Sequence, residues 1–132
     1  MPFELTIDRS PVSQQARRRR LVRNWTQEVR SVVEREWKGE PPVAEELMVT
    51  ITYFYDSTSM DVDNIPKPIL DALKGLVYFD DGQITDLLCR KRVLRLSFQT
   101  QNLSPVLHRA LGLSRQFVHI VVEDAPDQEV VS

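Results

Sequence analysis

An acidic segment at residues 61–87, DVDNIPKPILDALKGLVYFDDGQITDL, constrains this chain more than any other stretch of it. Asp61 and Asp63 lie two residues apart, and Asp81 follows beyond a predicted short helix. In an extended segment, residues i and i+2 project to the same side, about 6–7 Å apart. Two carboxylates held that close repel each other unless a cation lies between them or one binds a proton. We therefore expect a hard divalent cation here, Mg²⁺ or alternatively Mn²⁺, because such ions prefer oxygen ligands.

The predicted helix after these acids contains a lysine close to them in its first turn. Asn64 is the expected N-cap, and Pro66 falls in the first turn, where a missing N–H costs little. Apolar residues recur at spacings of four, four and three, which predicts one buried face: Ile65, Ile69, Leu73 and Leu76. Lys67 lies on the other side, with Asp71 one turn later. We expect Lys67 to stand near the Asp63 carboxylate, at a helix N-terminus that favours anions.

Asp and Asn are common in turns and caps, so DxDN alone also fits a capped surface helix followed by an acidic turn. The joint pattern of DxDN, Lys67, LDAL and DD-x-Q-I is far more specific. It closely resembles the RusA family of Holliday junction resolvases, which are Mg²⁺-dependent crossover-junction endodeoxyribonucleases. The resemblance implies that the catalytic set is Asp61, Asp63, Lys67 and Asp81, with the three aspartates as metal ligands. The residues expected to support this set are Asn64, Asp71, Asp80 and Gln83, of which Asn64 and Gln83 are alternatively phosphate contacts.

The pattern of the whole chain predicts a small single-domain α+β fold. We expect a mixed sheet of about four strands with two main helices, in the RusA-like order β-α-β-α-β-(α)-β. The predicted strands are Phe3–Ile7, Leu47–Tyr55, one that includes Leu94, Leu96 and Phe98, and Phe117–Glu123 as a central strand. A long helix is predicted from a cap at Ser13 to about Trp37, and a short one follows Ser104. Residues 1–123 form the predicted domain, and residues 124–132 a disordered acidic tail.

Charge is unevenly distributed along the chain, although its net value is only −2. Residues 11–23 contain five arginines and no acid, and a second basic cluster enters the predicted third strand. Local basic patches bind a polyanion even when the formal charge is near zero. The candidate DNA-binding residues are Arg17, Arg18, Arg19, Arg20, Arg23, Arg90, Lys91 and Arg92. The alternative is a solvated helix face, on which Arg19, Arg23 and Arg30 recur at intervals of four and seven.

The compartment is predicted from what the sequence lacks. A single cysteine, Cys89, excludes an intrachain disulfide, and it is expected to lie half-buried in a strand. The N-terminus shows no export signal, and no apolar run approaches the ~20 residues of a membrane span. We therefore expect a protein of the reducing cytoplasm with no membrane association.

The resemblance also implies a homodimer that acts on a four-way DNA junction by paired, symmetric nicks in DNA recombination and repair. Two departures from the family pattern concern the mode of DNA engagement rather than the chemistry. The first strand leads into DRSPVSQQARRRR rather than a proline- and asparagine-rich loop, and residues 99–116 form a longer insertion. Two other functions stay open: a RusA-derived DNA-binding protein that does not cut, and a metal-dependent phosphohydrolase of nucleotides.

Overall fold

In the computed structural model of the chain, residues 1–58, 60–99 and 101–131 are described. Seven elements alternate along it: β1 (Phe3–Ile7), α1 (Arg19–Trp37), β2 (Leu47–Tyr55), α2 (Pro66–Leu73), β3 (Ile84–Val93), α3 (Pro105–Gly112) and β4 (Phe117–Asp124). Short 3₁₀ turns at Val62–Asn64 and Asp81–Gln83 lie before α2 and before β3. This order confirms the predicted α+β fold.

The four strands form one mixed sheet in the order β1-β4-β2-β3. β4 runs antiparallel to both of its neighbours, whereas β2 and β3 are parallel and are connected through α2. The central position predicted for the last strand is therefore confirmed. One face of the sheet is buried by fully enclosed residues such as Ile51 and Ile120, which share the main core with Trp25 of α1 and Ile69 of α2. The segment between β2 and α2, which carries Asp61 and Asp63, thus emerges at the end of a buried strand.

α1 starts later than predicted, at Arg19 rather than after Ser13. The Ser13 hydroxyl accepts the amide of Gln15 in a local turn, and the residue before the helix has extended backbone angles. The backbone amide of Gln14 donates to the backbone carbonyl of Asn64, so this residue is held against the acidic segment and does not join the helix. Within the helix the buried residues are Val22, Trp25, Val29 and Val33, which recur at spacings of three and four and form one face.

The third strand also differs from the prediction. β3 spans Ile84–Val93, so the basic residues 90–92 lie inside the strand, and Leu94, Leu96 and Phe98 lie after it. β3 is an edge strand with two exposed leucines, Leu87 and Leu88, so it lacks the alternation that reveals a half-buried strand. Phe98 packs edge-on against Phe54 instead, at a centroid distance of 5.6 Å, in a second small core beneath α3.

The tail starts later than predicted, because β4 extends through Asp124. The next amide, that of Ala125, donates to the carbonyl of Glu46, and the Gln128 side chain contacts Thr85. The disorder proposed for the tail stays a prediction; its last residue, like residue 100 of the insertion, lies outside the described residues. Within the described ranges, no helix is long and apolar enough to cross a membrane.

Candidate active site

The backbone of residues 60–64 is held by three residues from two other parts of the chain. The Nζ atom of Lys91 donates to the carbonyl of Met60 at 2.9 Å, and the Sγ atom of Cys89 contacts the carbonyl of Val62 at 3.5 Å. Cys89 and Lys91 are two residues apart in β3, so both side chains lie on the same face of the sheet. Together with the bond from Gln14 to Asn64, these contacts place Asp61 between two anchored carbonyl groups.

Asp61 and Asp63 do not form the extended pair that the sequence predicted. Asp61 is extended (φ −72°, ψ 145°), but Asp63 lies within the 3₁₀ turn. A 3₁₀ helix turns about 120° per residue, so a separation of two residues does not place side chains on one side. Both carboxylates are exposed, and neither forms a hydrogen bond or ion pair with any described residue. They are therefore free for a cation, although no backbone geometry aligns them.

The start of α2 departs from the prediction in its cap. Asn64 lies in the 3₁₀ turn, where its amide donates to the carbonyl of Asp61. The N-cap position belongs to Ile65, and no side chain caps the helix. Pro66 occupies the first turn as predicted, which starts the helix because proline needs no hydrogen-bond acceptor there. The expected capping role of Asn64 is thus wrong, and its expected contact with metal ligands or phosphate stays a prediction.

Lys67 contacts Asp71 rather than the expected neighbour, Asp63. Its Nζ atom lies 2.7 Å from Asp71 Oδ1, one helical turn away, and both side chains are about half exposed. The hydrogen bond that Lys67 donates to Asp71 raises the pKa of Lys67, burial lowers it, and the charges of Asp71 and Asp81 raise it, with a net shift upward. Lys67 therefore stays cationic at neutral pH, and Asp81 lies close enough for its charge to act on it. The contact with Asp71 is as predicted.

The second acidic turn is built around Gln83. Its Oε1 atom accepts the amides of Phe79 and Asp80, and its Nε2 atom donates to the carbonyls of Val43 and Glu45. The Asp80 carboxylate accepts the amide of Gly82 and completes the reciprocal cap. Both amide hydrogens of Gln83 are donated to backbone carbonyls, and the alternative of a phosphate contact stays a prediction. Gln83 and Asp80 shape the turn that presents Asp81, which is exposed.

Lys74 is a site residue that sequence reasoning did not identify. Its Nζ atom lies 3.5 Å from Asp81 Oδ2 and 3.8 Å from Asp80 Oδ1. The chain reverses after it at Gly75, whose φ of +85° is readily adopted only by glycine. The only sequence signal was its helical spacing with Lys67 and Asp71, and this spacing does not reveal that the reversal brings Asp81 back to it.

The carboxylate groups of Asp61, Asp63 and Asp81 are of the kind that binds a hard cation, but they do not surround one point. In the parts of the chain that the structure describes, no three His, Cys, Asp or Glu side chains lie close enough together to hold a metal ion. Asp61 and Asp63 offer free oxygen ligands, and Asp81 is paired with Lys74 through a partly exposed contact. Mg²⁺ prefers such oxygen ligands and keeps several waters. The assignment of these three aspartates as ligands stays a prediction.

The first arginine cluster leads toward this site. Residues 17–20 and Arg23 are all exposed at the start of α1. The guanidinium of Arg19 donates to the carbonyls of Gln14 and Ala16. Arg30, proposed as part of the same outer face, is instead half-buried and donates to the carbonyls of Ala72 and Lys74. It connects α1 to the end of α2, so it does not belong with the candidate DNA-binding residues.

The second basic cluster is divided by the sheet. Lys91 lies on the same face of β3 as Cys89 and holds residues 60–64. Arg90 and Arg92 lie on the opposite face, where they line a cavity of about 410 Å³ with Phe54 and Phe98. The Nε atom of Arg90 donates to the buried Thr52 hydroxyl. Residues 90–92 therefore do not share one surface, and their DNA-binding role stays a prediction.

The family of this chain follows from the segment that contains all of these features. The family model of endodeoxyribonuclease RusA matches residues 9–97. No curated protein matches the chain closely. The matched range covers more than half of the 132 residues and includes both acidic turns, α2 and Lys67. The chain therefore belongs to the RusA endodeoxyribonuclease family of Holliday junction resolvases, a family of nucleases that act on DNA junctions.

Proposed function

We propose that this protein is a Mg²⁺-dependent endodeoxyribonuclease that resolves four-way DNA junctions in recombination and repair. One observation carries the proposal: within the matched segment, the Lys67 ammonium is held 2.7 Å from Asp71 Oδ1, directly after a turn whose Asp61 and Asp63 carboxylates contact no other side chain of the described residues. A lysine ammonium group held next to several acidic side chains suits a reaction on a phosphate group. Asp61, Asp63 and Lys67 lie on a loop and at the start of a helix, and a rigid sheet positions both.

Asp61, Asp63 and Asp81 would hold the metal. When bound, Mg²⁺ supplies an activated water and neutralises negative charge on the phosphodiester. Lys67 contributes a second positive charge, and its Nζ atom is able to donate to a non-bridging oxygen while Asp71 keeps it in place. Lys67 is already protonated at neutral pH, because its pKa is raised from an ordinary value of 10.5, so it acts as a cation rather than as a general base. Gln83 holds the turn that presents Asp81 to the same phosphate.

We also propose that the protein acts as a homodimer in a reducing cytoplasm. A four-way junction has approximate two-fold symmetry, and a two-fold dimer presents two equivalent sites to opposed strands. Paired, symmetric nicks then release two duplexes that can be religated. A reducing compartment suits a chain with a single thiol.

The test compares a labelled four-way junction, a linear duplex of the same sequence, and nucleoside triphosphates, each with Mg²⁺ and with EDTA. We expect Mg²⁺-dependent symmetric nicks in the junction and little cleavage of the duplex. Tight junction binding without nicks would instead identify a DNA-binding protein that has lost its activity. Hydrolysis of nucleotides without DNA cleavage would identify a phosphohydrolase, for which the arginines at the start of α1 have no role.

A further inference from the structure

A groove between α1 and α2 adjoins the candidate active site at two points. It encloses about 520 Å³, and its lining includes Arg19 and Arg23 from α1 and Asp71 from α2. Asp71 is the partner of Lys67 at 2.7 Å. Gln14 is also in the lining, and its backbone N–H donates to the backbone carbonyl of Asn64 at 2.9 Å. A polymer whose reacting phosphate lies at Lys67 would therefore continue directly into this groove.

The groove has an excess of positive charge. Arg19 and Arg23 are four residues apart, so they lie on one face of α1, about 6 Å apart along its axis. The charge of Asp71 is offset by Lys67, which leaves the two guanidinium groups uncompensated. Arg19 is already bound to two carbonyls, whereas Arg23 forms no hydrogen bond or ion pair with residues 1–58, 60–99 or 101–131. The planar guanidinium of Arg23 is thus available to an anion.

We propose that this groove binds the sugar–phosphate backbone of the cleaved DNA strand next to the scissile phosphate, and that Arg23 sets the position of that strand. This inference rests on the proposed nuclease function. A guanidinium group matches phosphate oxygens with two parallel hydrogen bonds, and the Val22 side chain in the lining offers apolar contact to a sugar. Arg17, Arg18 and Arg20 do not line the groove, so their contribution is general attraction to DNA.

The test compares Arg23→Ala with Arg20→Ala, a matched control that removes the same charge three residues earlier. Both residues are exposed, so both variants should fold, which thermal melting verifies. Cleavage of a labelled junction is measured under single-turnover conditions, with enzyme in saturating excess, and each nick is mapped at nucleotide resolution. We expect Arg20→Ala to weaken binding and to lower the saturated rate far less than Arg23→Ala does. Arg23→Ala should lower that rate by about 10- to 100-fold, because small displacements of a reacting group are costly, and should spread the nicks over neighbouring phosphodiesters.

Equal saturated rates and nick positions in the two variants would overturn the inference while leaving the proposed nuclease function intact. If the wild-type protein cuts no DNA, the nuclease proposal itself fails. In that case junction binding, measured by fluorescence anisotropy, still decides the role of the groove. A greater loss of affinity in Arg23→Ala than in Arg20→Ala supports it, and equal losses reject it.

Discussion

The Nζ atom of Lys91 in β3 donates a hydrogen bond of 2.9 Å to the carbonyl of Met60, the residue before Asp61. The ammonium group also lies 6.0 Å from the ring centroid of Tyr55, at the end of β2. Lys91 thus connects the edge strand to the segment that carries the first two candidate metal ligands. It was predicted to bind DNA, and its observed contact gives it a role in positioning Asp61.

Lys91→Met removes this bond but keeps the length of the side chain. Residues 60–64 should become less ordered, and the affinity for Mn²⁺, used as a probe for Mg²⁺, should fall by about 10- to 100-fold, as is typical for groups that orient metal ligands. Isothermal titration calorimetry measures this affinity. Arg92→Met is the control, because it removes the same charge from the opposite face of β3. Equal Mn²⁺ affinities in the two variants would show that the Lys91 bond does not position the ligands.

Gln83→Ala should destabilise the fold, because the side chain makes four hydrogen bonds to the backbone around the second acidic turn. Since some of the released groups will bind water, we expect a decrease in the free energy of unfolding of about 1–3 kcal/mol. Urea denaturation followed by circular dichroism measures it. Gln27→Ala, at an exposed position of α1, should change stability by less than about 0.5 kcal/mol. A similar small change for Gln83→Ala would mean that the turn does not depend on this residue.

Sequence reasoning predicted the fold well where periodicity was strong. β1 and β2 alternate in sequence, β4 is dense in β-branched residues, and the spacing of Ile65, Ile69 and Leu73 matches the buried face of α2. The third strand was predicted too late in the chain, because an exposed edge strand with basic residues shows no regular apolar pattern. The start of α1 was misplaced because a tertiary bond, from the Gln14 amide to Asn64, holds the residues before it.

The sequence named most of the candidate site residues but few of their contacts. The spacing of Lys67 and Asp71 predicted their contact, because one helix contains both. The pairing of Lys74 with Asp81 depends on the reversal of the chain at Gly75. The placement of Lys91 on one face of the sheet and of Arg90 and Arg92 on the other depends on the pairing of β3 with β2. These relationships are set by tertiary packing and register, which local periodicity does not encode.

Cys89 should react slowly with alkylating reagents. Burial raises the pKa of its thiol to about 11, from an ordinary value of 9.0. At pH 8 the thiolate fraction should therefore be about 100-fold lower than in the unfolded chain, and only the thiolate reacts. The neutral thiol contributes stability that is fully present below pH 9 and is lost as the pH rises through 11. Mass spectrometry of iodoacetamide-treated protein, native and in urea, measures the rates; equal rates would contradict a buried thiol.

Arg17 and Arg20 should contribute to DNA affinity through charge alone. Replacing both with alanine should weaken binding to junctions of any sequence and reduce the slope of log affinity against log salt by roughly 0.9 for each phosphate that the variant no longer neutralises. Arg35→Ala, at the exposed far end of the same helix, is the control and should leave the slope unchanged. Fluorescence anisotropy at several salt concentrations gives the slopes. The same slope in all three proteins would indicate that these arginines are merely solvated.

The most direct test of the proposed metal site is Asp61→Asn, which keeps the size of the side chain and removes its charge. The control is Asp56→Asn, an exposed aspartate five residues earlier that is outside the proposed ligand set. Mg²⁺-dependent nicking of a labelled four-way junction is measured together with junction binding. We predict that Asp61→Asn binds the junction at least as tightly as the wild type but cuts it at under about one per cent of the normal rate, because the metal carries the chemistry, while Asp56→Asn cuts normally. Cleavage by Asp61→Asn at a rate similar to that of Asp56→Asn would contradict the proposed metal site.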